Sequence, residues 1–281
     1  MKPVAFESQM SPSDMKAFDL PTQPASNFSL VLVNYKTPDI TRMCLELLRE
    51  HVQEQRIPVW VVDNDSADAS LDYLRSLDWI NLIERPSPGK EAGHIAHGKA
   101  LDLALEKVDT DYLFLLHTDT FVYDKEVFAM MMRECTKTPD MAAVGCVEQL
   151  NRGIVRDTWR LTSRFCKHYV RKAKVRLGMR SKMPRPYKET HLKSFCTLWN
   201  ARLMKSQGLH FCMDEQVPGY ALQDRMSSLG YGIKFLSPRK IFSYLDHIQS
   251  GTVAAAGTYG KNHRRTKMYQ ATMKRLQGQQ V

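Results

Sequence analysis

Long hydrophobic runs are missing from this chain of 281 residues, and nothing in it approaches the roughly 20 apolar residues that a membrane-spanning helix needs. The opening MKPVAFESQM has one early lysine but no apolar core, so no secretory signal is visible and a cytoplasmic protein is expected. Cysteine is sparse. The six, at 44, 135, 146, 166, 196 and 212, include no Cys-x-x-Cys pair, which argues against a zinc site and fits reduced, mostly buried thiols. Acids are nearly absent from two stretches. Residues 156–193 hold thirteen Lys/Arg against Asp157 and Glu189 alone, and residues 261–275 hold six Lys/Arg and no acid. Setting these aside leaves 21 bases against 28 acids, so a body of about −7 carries two basic segments.

What is present is globular composition, 43% hydrophobic and 25% charged, which excludes a mostly disordered or collagen-like chain. Residues 1–27, rich in Ser, Pro, Gln and Asp without a sustained period, read as a mobile lead-in. Short apolar runs follow, of the kind that form buried strands: FSLVLVN (28–34), VWVVD (59–63), INLIE (80–84), YLFLLH (112–117) and AAVGCV (142–147).

Helical patterns separate these runs. Thr37-Pro38-Asp39 has helix-start chemistry, and Ile40, Met43, Cys44, Leu47 and Leu48 then share one face. Ser66 is placed to cap a helix reaching Ser76. Leu101, Ala104, Leu105 and Val108 mark another, and Asp124 caps one bearing Phe128, Met131, Met132 and Cys135. The alternation predicts an α/β fold, a mostly parallel sheet with helices on both faces. The second half is less regular, with a strand near 195–199, helices ending at Gly208 and Gly230, and strands near 233–236 and 241–245. One domain is expected over 28–250, divided into halves 28–150 and 151–250, with a basic extension over 251–281.

Ligands of such sheets bind beyond the carboxyl ends of the strands. Those ends read Asn34-Tyr35, Asp63-Asn64-Asp65-Ser66 and His117-Thr118-Asp119-Thr120. Asp63 and Asn64 suit hydrogen bonds to a base or ribose, and Asp119 suits a divalent cation on phosphate oxygens. Asp and Asn also cap turns, but three such ends on one rim point to a site.

Gly93–Ala100 has the GxxxxGK spacing that would carry Lys99 to a phosphate. Ala100 lacks the metal-binding hydroxyl of such loops, and the preceding strand ends too early, which argues against a nucleotide hydrolase. His94 and His97 have no third metal ligand near them in sequence. Aromatics interleave the first basic segment, yet no nucleic-acid-binding module is present, and nucleic acid is not an expected partner. Leu161, Phe165, Tyr169, Ala173 and Leu177 recur every four residues, which suits a helix on a membrane surface or one packed on the domain.

NYKTPD (34–39), VVDNDSADAS (61–70), AGHIAHGKALDLAL (92–105) and YLFLLHTDT (112–120) occur in order and at suitable spacing. Together they resemble the nucleotide-binding half of the inverting glycosyltransferases of family 2, which have the GT-A fold. The resemblance covers about residues 28–150 and is weak over 151–250. It implies transfer of a sugar, with inversion, from a nucleotide diphospho-sugar to a hydroxyl of a glycan or lipid-linked acceptor.

The resemblance also implies roles. Asn34, Tyr35, Asp63, Asn64, His117 and Thr118 would contact the nucleotide sugar, and Lys99 joins them. His117-Thr118-Asp119 stands where the family has Asp-x-Asp, whose last Asp holds Mn or Mg on the diphosphate. His247, in YLDHIQSGT, stands where many members have a His near that metal. His117 departs from the pattern, and a neutral imidazole is a poorer hard-cation ligand than carboxylate. The family's base would fall at Val217-Pro218-Gly219, which holds no acid. Glu215, then Asp224, with Asp214 beside them, are the nearest carboxylates for that role. The segment 156–193 suggests an anionic acceptor or a peripheral seat at the inner face of the membrane. The alternative is a non-catalytic binder of a nucleotide sugar or of an anionic surface, RNA or lipid.

Overall fold

A computed structural model describes residues 27–87, 89, 91–147, 153–184 and 186–248, with Gln270 and Lys274. Apart from Asn27 and those last two residues, the expected lead-in and basic extension lie outside the described residues. In chain order the elements are β1 (Phe28–Asn34), α1 (Pro38–Gln53), β2 (Val59–Asp63), α2 (Ala69–Arg75), β3 (Asn81–Glu84), α3 (Gly93–Lys107), β4 (Tyr112–His117) and β5 (Thr120–Val122). There follow α4 (Glu126–Cys135), β6 (Met141–Gly145), α5 (Ile154–Arg176), β7 (Cys196–Asn200), α6 (Ala201–Ser206), α7 (Tyr220–Ser228), β8 (Gly232–Phe235), α8 (Pro238–Ile241) and β9 (Leu245–His247).

Seven strands form the main sheet in the order β3-β2-β1-β4-β7-β6-β8. β7 runs antiparallel to β4 and β6, and the other pairings are parallel. The pleat sends alternate residues of each strand to opposite faces. Leu30 and Leu32 of β1 join a core built with α1 and α4, whose contributions include Ile40, Leu48, Phe128 and Met131. Val31 joins a second core with Leu101 and Leu105 of α3, Met204 of α6 and Leu222 of α7. Both sheet faces are therefore covered, which is why the central strands are apolar throughout rather than alternating. No helix among the described residues is long and apolar enough to cross a membrane.

Two local expectations change. Asp68, not Ser66, caps α2 by accepting from the Ser70 amide at 3.0 Å, because the Ser66 hydroxyl is engaged by Asn34 at 3.1 Å. The strand expected near 241–245 is instead the short α8 followed by β9. Pro38 and Pro238 both sit at helix starts, where their fixed φ suits the first turn. Among the described residues beyond α8, only Leu245–His247 is extended, and it pairs antiparallel with β5, setting His247 opposite Thr120. Gly208 and Gly230 do adopt the left-handed backbone expected just past a helix, at φ 61° and 87°.

Candidate active site

The carboxyl ends of β1, β2 and β4 lie side by side and open into a cavity of about 820 Å3. Tyr35, Asn64, His97, His117, Thr118 and Asp119 are among the residues that line it. Asn34 and Asp63, expected in the pocket, are instead buried beneath its lining. The Asn34 amide donates to Asp63 Oδ1 at 2.7 Å and to the Ser70 hydroxyl at 2.8 Å, and its oxygen accepts from the Thr41 hydroxyl at 2.7 Å. Asp63 Oδ2 accepts from the Ser66 amide at 3.0 Å. This network ties the ends of β1 and β2 together and fixes the turn on which Asn64 and Asp65 face the cavity.

Asn64 has its own support. Its oxygen accepts from Arg85 Nη1 at 2.7 Å, and Arg85 Nη2 pairs with Glu91 at 2.5 Å. Arg85 is buried, so this pair holds a guanidinium out of water and aims it at Asn64. Lys99, expected at the nucleotide, reaches Glu91 instead, at 2.6 Å, and is not among the lining residues. Glu91 sits between two cations, and their hydrogen bonds hold its carboxyl below the usual range, the one from Lys99 foremost.

Three potential metal ligands converge at the end of β4: His117, Asp119 and His247 offer ligand atoms all within 4.8 Å of one another. Asp119 Oδ1 is 3.1 Å from His247 Nε2 and 3.7 Å from His117 Nδ1. The β5–β9 pairing carries His247 there, reinforced by the Ile248 amide donating to the Asp119 carbonyl at 2.9 Å. The His247 ring stacks on Phe195 with centroids 4.5 Å apart and planes 6° from parallel. On the far edge of His117, Nε2 lies 2.8 Å from the Ser194 hydroxyl. Burial pushes His117 down to about 3 despite the opposing pull of Asp119, with His97 and His247 adding to the depression. The imidazole is therefore neutral and keeps a lone pair for a cation. Two imidazoles and one carboxylate make a donor set that can hold a divalent transition-metal ion. His117, a departure from the family pattern, thus falls inside the cluster.

The three candidate bases are placed less favourably, and none lines the cavity. Asp214 and Glu215 are exposed residues with left-handed backbone, at φ 53° and 52°, on the loop between α6 and α7. That loop closes one wall of the cavity through Val217 and Pro218, and the Glu215 carbonyl lies 3.2 Å from His94 Nε2. Asp224 instead pairs with His191, at 3.0 Å. His94 and His97 are not part of the metal cluster, but the His97 ring meets His117 edge-on at 5.4 Å. Ser194, Arg85 and Glu91 were not singled out from sequence, because each lies on a connecting segment with no local motif.

The family model described as Glycosyl transferase family 2 matches residues 29–200. No curated protein matches the chain. Among solved structures, the mannosyltransferase PcManGT from Pyrobaculum calidifontis, in complex with GDP-Man and Mn2+, is similar at 15% identity and TM-score 0.52, over 76% of this chain and 55% of that one. TarS 1-349 from S. aureus is similar at 15% identity and TM-score 0.46, over 75% of this chain and 58% of that one. Glucosyl-3-phosphoglycerate synthase from Mycobacterium tuberculosis, in complex with UDP, is similar at 16% identity and TM-score 0.46, over 74% and 68%. The chain thus spans little more than half the length of the first two structures. The likeness to the mannosyltransferase establishes the GT-A fold.

Proposed function

This chain belongs to glycosyl transferase family 2, and from that premise we propose that it transfers a sugar from a nucleotide diphospho-sugar to an acceptor hydroxyl, with inversion. The observation that carries the reading is the His117-Asp119-His247 cluster, of which His117 and Asp119 line a cavity of about 820 Å3. That volume suits a nucleotide sugar. Tyr35, Asn64 and Asp65 would meet the nucleoside, while Asn34 and Asp63 act beneath them as positioning residues. His117, Asp119 and His247 would hold a divalent ion, which offsets the negative charge that develops on the leaving diphosphate. The mannosyltransferase of similar fold was solved with GDP-Man and Mn2+, which supports the same ligand class here.

In the transfer the acceptor oxygen forms a bond to the anomeric carbon as the bond to the diphosphate breaks, the electron pair leaving with the diphosphate. The acceptor proton passes to a base, for which Glu215 is the first choice, then Asp224 and Asp214. Glu215 is favoured because its loop forms the cavity wall. We place the acceptor, a glycan or a lipid-linked sugar, on the side of that loop. A second reading, a binder that does not turn its nucleotide sugar over, is favoured by Val217 and Pro218 standing where the wall would otherwise present an acid.

Melting of the protein against a panel of nucleotides and nucleotide sugars, with Mn2+, with Mg2+ and with chelator, tests the site. A ligand at 100 times its Kd adds about 2.7 kcal/mol. The expected result is stabilisation by one diphosphonucleoside that chelator and Asp119→Ala both remove. Stabilisation by none would overturn the reading. Release of free nucleotide from the stabilising sugar, lost in Glu215→Gln, separates the transferase from the silent binder.

A further inference from the structure

α5 is a helix of 23 residues, and none of the residues 155–176 is buried. Its less exposed side is charged. Asp157, Arg160, Arg164, His168 and Arg171 lie there, and Arg164 pairs with Glu189 at 3.0 Å. The apolar line expected from periodicity, Leu161, Phe165, Tyr169, Ala173 and Leu177, is only partly available. Phe165 and Tyr169 are taken up in an aromatic group with Tyr187, at centroid distances of 5.1 and 6.1 Å.

A second line, which shares Ala173 and Leu177 with the first, faces outward. Val155, Trp159, Cys166, Val170, Ala173 and the following Leu177 are all exposed, and at 100° per residue they fall within an arc of about 60°. Val155 is 86% exposed, Trp159 74%, Val170 55% and Leu177 75%, values seldom found together on one face of a monomer. Exposed cations flank this line on both sides, Arg156, Lys167 and Lys174 on one and Lys172 and Arg176 on the other.

We infer that this outward face of α5 lies in the interface of a bilayer with anionic headgroups, Trp159 and Val170 entering the acyl boundary and the flanking cations meeting lipid phosphates. An apolar stripe between two cationic edges is the pattern of an interfacial helix. A hydrophilic anionic glycan would leave the stripe uncovered. A second copy of this chain would bring like-charged edges together. Only the lipid surface meets both features. The inference narrows the anionic surface already suggested to one partner, and vesicle binding requires no nucleotide, so its failure leaves sugar transfer standing and the reverse also holds.

The test is co-sedimentation of the full chain with vesicles of phosphatidylcholine alone and with added phosphatidylglycerol, at low and high salt. Each basic residue at an anionic surface is worth roughly fivefold in partitioning. Substituting Arg156, Lys167 and Lys174 by Gln should therefore lower partitioning about a hundredfold, and substituting exposed Arg239 and Lys240 of α8 should leave it nearly unchanged. Trp159→Ser with Val170→Ser should also release the protein, with its far-UV circular dichroism intact.

Insertion is read separately from charge. Trp199 is buried and Trp60 and Trp79 are partly buried, so the difference between wild type and Trp159→Phe isolates Trp159 emission. That emission should shift to the blue on anionic vesicles and be quenched by brominated acyl chains. No binding to anionic vesicles overturns the inference. So does binding that ignores the serine substitutions and leaves Trp159 unquenched, which would mean charge attraction alone. A dimer in solution that the serine substitutions dissolve would show that the stripe covers a second copy, and also overturns it.

Discussion

His117 uses its two ring nitrogens on opposite errands: Nε2 lies 2.8 Å from the Ser194 hydroxyl while Nδ1 faces Asp119 at 3.7 Å. If Nε2 carries the proton and donates to Ser194, the Nδ1 lone pair is free to point at a cation. A partner on the outer nitrogen fixes both tautomer and ring orientation, and losing such a partner typically costs 10–100-fold in metal affinity. Ser194→Ala should therefore weaken Mn2+ binding by about that factor, measured as the Mn2+ concentration needed for nucleotide-dependent stabilisation. Ser194→Thr, which keeps the hydroxyl, should restore most of it. Unchanged Mn2+ affinity in Ser194→Ala would remove this role.

Asn34 should matter to folding before it matters to ligands. Its two amide hydrogens serve Asp63, Ser66 and Ser70, and its oxygen accepts from Thr41, all in the interior. Asn34→Ala strands these groups without water, at a cost on the order of 3 kcal/mol. Melting should fall by roughly 6 °C. Asn34→Asp should be worse at neutral pH, since it sets a carboxylate against Asp63, and a melting temperature equal to that of wild type would discount the network.

The central strands could be read from sequence because they are buried on both faces and so form continuous apolar runs. β1, β2 and β4 match the runs 28–34, 59–63 and 112–117. β9 could not be read in this way. Three residues make no pattern, and Leu245–His247 is extended because it pairs with β5, more than a hundred residues earlier. The same pairing assembles the metal cluster. His247 was visible only through the family resemblance, and its meeting with Asp119 only through the fold. α5 shows another limit. Periodicity marks the helix and one apolar line along it, but Tyr187, which packs on Phe165 and Tyr169, comes from a segment without regular structure, so that contact is invisible to periodicity. Lys99 was drawn to a phosphate by motif spacing, whereas the nearer Glu91 claims it.

The Glu91 ion pairs should make stability depend on pH in a defined direction. Lys99 and Arg85 hold its carboxyl below the ordinary 4.5, so the folded state binds this proton more weakly than the unfolded chain. The contribution is then complete above the ordinary value and is lost as pH falls through the depressed one. Glu91→Gln should lower the melting temperature at pH 7, and the difference from wild type should shrink as the pH drops below 4.5. Because Arg85 also orients Asn64, the variant should bind nucleotide more weakly at pH 7. A difference in melting that persists unchanged into acid would assign the effect to packing rather than charge.

Gly98 tests whether the loop that walls the cavity is held in place. It lies within α3, where alanine would ordinarily be preferred by about 1 kcal/mol. A Cβ there would lie 3.0 Å from Cys212 Cβ and 3.2 Å from both Cys212 Cα and Pro218 Cγ. Cys212 cannot easily retreat, since Asp102, also on α3, accepts from the Phe211 and Cys212 amides at 2.6 and 3.1 Å. Burial raises the Asp102 carboxyl against the effect of those amides, a sign that it is partly withdrawn from water. Overpacking of this kind costs about 1–3 kcal/mol, enough to cancel or exceed the helical preference. Gly98→Ala should therefore be neutral to destabilising in the wild-type background. In an Asp102→Ala background, where the loop can shift, the same substitution should become stabilising. Equal effects in the two backgrounds, measured by denaturant unfolding as a double-mutant cycle, would show that Asp102 does not pin the loop against α3.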